Sequence, residues 1–111
     1  MKTLILTLGA AGSMALCATS ANAALDDAAA LDLMKKSGCA TCHLVDKKLV
    51  GPAYKDVAAK RKADAGAAAA LEKTVRAGSK DAYGPIPMPP NPVAKISDAD
   101  LHALVEWILT K

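Results

Sequence analysis

Five consecutive residues, Cys39-Ala40-Thr41-Cys42-His43, constrain this chain more than any other feature it carries. They spell C-x-x-C-H, the attachment signature of a c-type haem. The reason is geometric. On a helical turn, positions i and i+3 lie on one face, and i+4 lies beside them. Cys39 and Cys42 are therefore placed to add as thioethers to the two vinyl groups of one porphyrin. His43 reaches the iron from the same side. A chain with this motif is expected to fold around one flat apolar plate.

Composition agrees with that expectation. The 111 residues leave room for one ordinary domain, and there are only three aromatic residues, Tyr54, Tyr83 and Trp107, with no Phe. Such a chain builds a weak core on its own, and a bound haem would supply the missing apolar mass. The formal charge of +3 is small and scattered, which argues against nucleic acid as a partner. Three cysteines are too few for a disulfide scaffold.

Residues 1–23 look like an address rather than a fold. Lys2 is the only early charge, Leu4-Ile5-Leu6-Thr7-Leu8 is a short apolar run, and Ala21-Asn22-Ala23 is an A-x-A cleavage pattern. Together they describe a secretory signal peptide. The competing reading, an uncleaved membrane anchor, is weakened by the small and polar second half of the segment. Cys17 follows Leu16 rather than a small residue, so it reads as part of the apolar region and not as a lipid attachment site. The functional domain is then 24–111, with Cys39 and Cys42 as its two cysteines and no stable membrane insertion.

That domain reads as all-α. No stretch alternates apolar and polar residues as a half-buried strand would. Asp26 and Asp27 suit a helix N-terminus, and Lys35 and Lys36 suit a C-terminus, with Gly38 as the stop. Leu31 and Met34 share a face of that helix, beside Leu33. Pro52 opens a second short helix at its first turn, in which Tyr54, Val57, Ala58 and Arg61 follow helical spacing. A third helix runs through Ala67–Ala77, with Leu71 and Val75 inward, Glu72 and Arg76 as an i,i+4 pair, and Gly78 as cap. The last helix starts at Ser97 as N-cap and runs to about Leu109. Its stripe is Leu101, Leu104, Val105 and Ile108, flanked by Trp107.

Before the last helix lies Tyr83-Gly84-Pro85-Ile86-Pro87-Met88-Pro89-Pro90-Asn91-Pro92, in which five of ten residues are proline. This segment excludes helix. It bears on the sixth iron position, for which Met34, Met88 and His102 are candidates. Met34 lies on the helix leading into the motif and reads as a core residue. His102 lies off the apolar stripe and reads as exposed. Met88 is held between Pro87 and Pro89, and a stiff loop presents a weak thioether ligand at little ordering cost. The competing reading of Met88 is a gap-filler in a proline-rich turn. A thioredoxin-like pair, a zinc site and a plain disulfide compete for the cysteines. The first lacks strands around it. The second has only Cys39, Cys42, His43 and His102 to draw on, and adjacent Cys-His is awkward for one tetrahedron. The third would be strained.

With these residues in view, the chain resembles a class I cytochrome c, of the small bacterial monohaem kind called c-551 or c-552. Gly38-Cys39-Ala40-Thr41-Cys42-His43, Val50-Gly51-Pro52-Ala53-Tyr54-Lys55-Asp56-Val57-Ala58 and Gly84-Pro85-Ile86-Pro87-Met88-Pro89-Pro90-Asn91 carry the resemblance. It implies four to five short helices wrapped around one covalent haem c. It implies that Cys39 and Cys42 form the thioethers and that His43 and Met88 are the axial ligands. It implies that the Pro52 carbonyl accepts the His43 Nδ1 proton, and that Asn91 hydrogen-bonds near the Met88 sulfur. The first and last helices are expected to cross at Gly38. Relatives often carry an aromatic at Met34 and a Trp at Tyr83, the latter bonded to a haem propionate. Tyr still offers a donor there.

The expected function is a soluble, monomeric, periplasmic one-electron carrier of a respiratory chain rather than an enzyme. The resemblance suggests a quinol-oxidising complex as donor and a terminal oxidase or nitrite reductase as acceptor. Two alternatives stay open at this stage. One is an open-coordination haem enzyme or gas sensor in which Met88 does not bind. The other is a docked cytochrome subunit of a dehydrogenase.

Overall fold

The computed structural model describes residues 24–111. The signal-peptide reading of residues 1–23, Cys17 included, falls outside the described residues. Four α-helices stand in the described chain: α1 (Asp27–Lys36), α2 (Tyr54–Arg61), α3 (Ala67–Ala77) and α4 (Asp98–Leu109). A short 3-10 turn, Cys39–Thr41, follows α1. Extended pairing among the described residues is limited to two isolated bridges, His43 with Lys48 and Ser79 with Met88. None of these helices is long and apolar enough to cross a membrane.

Helix ends fall where local chemistry puts them. Asp26 caps α1 by accepting from the Ala29 amide at 2.7 Å, and Ser97 caps α4 through the Asp100 amide at 3.1 Å. Lys35 and Lys36 occupy the last turn of α1. Gly38, at φ +78°, then reverses the chain in a conformation that other L residues adopt only with strain.

α4 is the centre of the packing, and α1, α2 and α3 all lie against it. Leu101, Leu104, Val105 and Ile108 are buried there, with Ala30, Met34, Tyr54 and Val57 from the other helices. Met34 and Val105 are the largest fully buried side chains. Burying one such side chain is worth roughly 1.5–3 kcal/mol.

Four details depart from the sequence reading. Leu31 is 42% exposed and does not share the buried face with Met34. That face is Ala30 and Met34, at i and i+4 on one side of the helix and both almost fully buried. α2 starts at Tyr54 rather than at Pro52, and Ala53 before it is extended, at φ −62° and ψ 144°. Trp107 is buried rather than flanking, since its edge meets the Tyr54 ring at 6.2 Å between centroids. At Gly38 the nearest neighbour is the segment leading into α4 rather than α4 itself, since a Cβ there would lie 3.2 Å from the Lys95 side chain.

Candidate functional site

The C-x-x-C-H residues are shaped by hydrogen bonds back to the turn that begins them. The amides of Cys42 and His43 both donate to the Cys39 carbonyl, at 3.1 and 2.9 Å. That tight turn brings Cys39, Cys42 and His43 to the wall of one cavity of about 240 Å³. No disulfide joins the two cysteines. Burial pushes the Cys39 thiol up, opposed in part by the Lys95 charge.

Three contacts hold the His43 ring. Its Nδ1 lies 2.8 Å from the Pro52 carbonyl. A carbonyl only accepts, so Nδ1 carries the proton and Nε2 is left with a free lone pair. The Tyr54 ring stacks on the imidazole at 5.1 Å, the planes inclined by 21°. Gly51 lies beneath, and a Cβ there would come within 2.5 Å of His43 Cε1. Pro52 belongs to this arrangement rather than to α2, because its carbonyl serves the imidazole and the residue after it stays extended.

Met88 enters the same cavity from the proline-rich segment. Its backbone is paired with Ser79 in both directions: Ser79 N to Met88 O at 3.1 Å and Met88 N to Ser79 O at 2.9 Å. Gly78 makes room for this pair, since a Cβ there would meet the Met88 carbonyl at 2.6 Å. Asn91 is buried, and its side-chain amide donates to the carbonyls of Pro89 at 3.0 Å and Val75 at 3.3 Å. Its amide nitrogen therefore braces the loop through backbone carbonyls.

His102 stands apart from this cavity. Its side chain is 52% exposed and bonds Glu72 across α3 and α4. It is not placed to complete a tetrahedral metal site with the cysteines, and no cluster of three metal-binding His, Cys, Asp or Glu side chains occurs among the described residues. Met34 is buried in the helical core. Of the three candidates for a second axial ligand, only Met88 lines the cavity that His43 lines.

A haem suits these walls. Two thiols and an imidazole with a free Nε2 share the cavity with a thioether, and its lining is otherwise largely apolar, with Val57, Leu71 and Leu104 among it. The Tyr83 hydroxyl, on the same cavity, is shielded from solvent and has no hydrogen-bond partner. A buried donor without an acceptor costs about 1–3 kcal/mol, so it points to a polar group of something the cavity takes in.

Arg76 is a residue whose place sequence spacing does not reveal, since spacing pairs it with Glu72. Its guanidinium instead bonds the carbonyls of Asn91 and Ile96 and the Asp98 carboxylate, at 3.1, 2.8 and 2.6 Å. Glu72 is taken by His102. The stacking of Tyr54 on His43 was also missed, although an aromatic residue just after Gly51-Pro52 was a visible signal.

Comparison with known proteins agrees with the geometry. Residues 28–111 match the family model described as Cytochrome c. The chain is 51% identical over 79 residues to cytochrome c-551 of Pseudomonas aeruginosa, covering 71% of this chain and 73% of that protein. It is 52% identical over 91 residues to cytochrome c-551 of Allochromatium vinosum, covering 82% and 92%. Among solved structures, cytochrome c552 of Nitrosomonas europaea superposes with a TM-score of 0.67 at 50% identity, over 72% of this chain and 96% of that one.

Proposed function

The chain belongs to the cytochrome c family of electron carriers and takes one covalently attached haem c; from that premise we propose that it is a periplasmic one-electron carrier whose iron is held between His43 Nε2 and Met88 Sδ. The observation that carries this reading is the pairing of His43 and Met88 on one cavity, with Nδ1 of His43 already committed to Pro52. Bound there, the haem iron supplies a reversible one-electron couple.

The chain's own residues set the terms of that couple. Cys39 and Cys42 fix the plate to the backbone. Pro52 orients the imidazole and raises its basicity. Met88, a weak thioether donor, favours the ferrous charge state and raises the potential, as does an apolar lining. His43 and Met88 together would occupy the positions that oxygen, peroxide or substrate would need, so charge change would be the chemistry supplied. The stiff segment Pro87-Met88-Pro89-Pro90 would keep Met88 in place in both charge states.

Val50 and Ile86 line the cavity while remaining 43% and 62% exposed, so apolar side chains reach its mouth, together with the exposed Lys95. Lys47 and Lys48 are exposed beside that loop. A small apolar contact rimmed by cations suits a transient redox encounter. The partners we assign are a quinol-oxidising complex as donor and a terminal oxidase or nitrite reductase as acceptor. Export rests on the signal-peptide pattern of residues 1–23.

Carbon monoxide tests the ligand set. The reduced holoprotein is expected to bind it slowly or not at all at neutral pH. The oxidised form should show a sulfur-to-iron charge-transfer band. Met88→Ala should lose that band, lower the midpoint potential and open the iron to carbon monoxide. Rapid binding by the unaltered protein, or an unaltered band in Met88→Ala, would overturn the reading.

A further inference from the structure

We propose that Arg76 is a positioning residue for Met88: its guanidinium pins the returning arm of the methionine segment to α3 and thereby sets how readily the thioether leaves the iron. The inference rests on the His43/Met88 ligation proposed above.

Arg76 stands in the last turn of α3. Its Nη1 donates to Asn91 O at 3.1 Å and to Ile96 O at 2.8 Å. Its Nη2 donates to Asp98 Oδ1 at 2.6 Å. One side chain thus ties together α3, the segment after Met88 and the first turn of α4. Asn91 and Ile96 are both buried, so their carbonyls have little access to water as a substitute partner. The neighbouring Val75 carbonyl accepts from the Asn91 backbone amide at 3.0 Å and its side-chain amide at 3.3 Å. Val75 and Arg76 therefore grip Asn91 through its amide and its carbonyl alike, three residues after Met88.

On the other side, Met88 is held by its backbone pair with Ser79. Between these two anchors, Pro89 and Pro90 leave few free torsions. With both ends fixed, the backbone that carries Met88 stays in place and only the side chain's own torsions can free the sulfur. When an anchor gives way, the backbone moves as well, and the thioether leaves more readily. The Ser79 anchor is a neutral backbone pair. The Arg76 anchor is charge-assisted, and it is the stronger kind. It also depends on a fork of planar donors, which an ammonium group does not reproduce.

Exchange with imidazole in the ferric holoprotein reads this opening, because imidazole reaches the iron only after the Met88 sulfur has left. The expected result is that Arg76→Ala binds imidazole about tenfold more tightly than the parent, the size of one lost charge-assisted bond. Arg76→Lys should fall between the two, and the charge-transfer band should persist in each without imidazole. The inference is overturned if both variants take up imidazole with the parent's rate and affinity, whatever happens to their denaturation midpoints. Should Arg76→Ala fail to accumulate as holoprotein, Arg76→Lys decides by the same measurement. Met88→Ala separates the two levels of the argument. If it and the parent bind imidazole alike, the ligation itself is wrong. If it binds far more tightly while the Arg76 variants match the parent, only the role of Arg76 falls.

Discussion

The indole Nε1 of Trp107 donates to the carboxylate of Asp27 at 2.8 Å, joining the last turns of α4 to the first residue of α1. The same carboxylate oxygen accepts from Lys111 Nζ at 2.8 Å, and that ammonium also lies 4.3 Å from the centre of the Trp107 ring. The two ends of the described chain are thus clasped at one acid.

This clasp gives a pH dependence with a defined sign. The hydrogen bonds from Lys111 and Trp107 hold the Asp27 carboxyl below its ordinary value of 3.8. A depressed folded-state pKa contributes stability that is fully present above the ordinary value and lost as pH falls through the folded one. Asp27→Asn should therefore melt below the parent at neutral pH, and the gap should close under strong acid. Thermal denaturation followed at several pH values checks this. A gap that stays constant into acid would show that the charge of Asp27 is irrelevant.

Gly51 tests the seat of the imidazole. A methyl group there would stand 2.5 Å from His43 Cε1, so the ring must move and its bond to Pro52 must lengthen. Gly51→Ala is expected to destabilise the holoprotein by about 1–3 kcal/mol, as overpacking does, and to lower the midpoint potential. Guanidinium denaturation and a redox titration measure both. Parent-like values would mean that the ring has room the geometry denies.

Tyr83 carries a shielded hydroxyl with no protein partner. If a haem carboxylate supplies the acceptor, Tyr83→Phe should cost the holoprotein about 1 kcal/mol, the net worth of one hydrogen bond. The pH dependence of the midpoint potential should shift as well. A more stable Phe variant would leave the hydroxyl unpartnered with haem bound.

Haem also fills the space between the helices. Without it, Leu71, Leu104, Val57 and their neighbours face a cavity of about 240 Å³. With three aromatics in the whole chain, little else can close it. Protein produced without haem attachment is expected to show low helicity and no cooperative melting transition. Circular dichroism and calorimetry would reveal a folded apo-form if this is wrong.

Much of the architecture was legible because its causes are local. Asp26 and Ser97 cap helices through amides three residues away. The bounds of α3, Ala67–Ala77, coincide with its reading from alanines, spacing and Gly78. The C-x-x-C-H run is five adjacent residues, and its geometry follows from one turn of backbone. Even the reach of Pro52 to His43 followed from the resemblance carried by the segment around Gly51.

What was not legible depends on choices among distant partners. Sequence spacing offered Arg76 a carboxylate at Glu72, one turn away. The fold offered it two backbone carbonyls in buried residues, costly to leave unmet, with the exposed Asp98 carboxylate beside them. Glu72 then fell to His102, and Leu31 was turned outward once Ala30 faced the core. The chain alone determined which helices form, where they stop and which five residues carry the haem-attachment motif, since each of those is settled within a few residues of itself. Only the tertiary structure decided which side chains brace the imidazole and the thioether, since a donor's final partner depends on which acceptors packing has cut off from water.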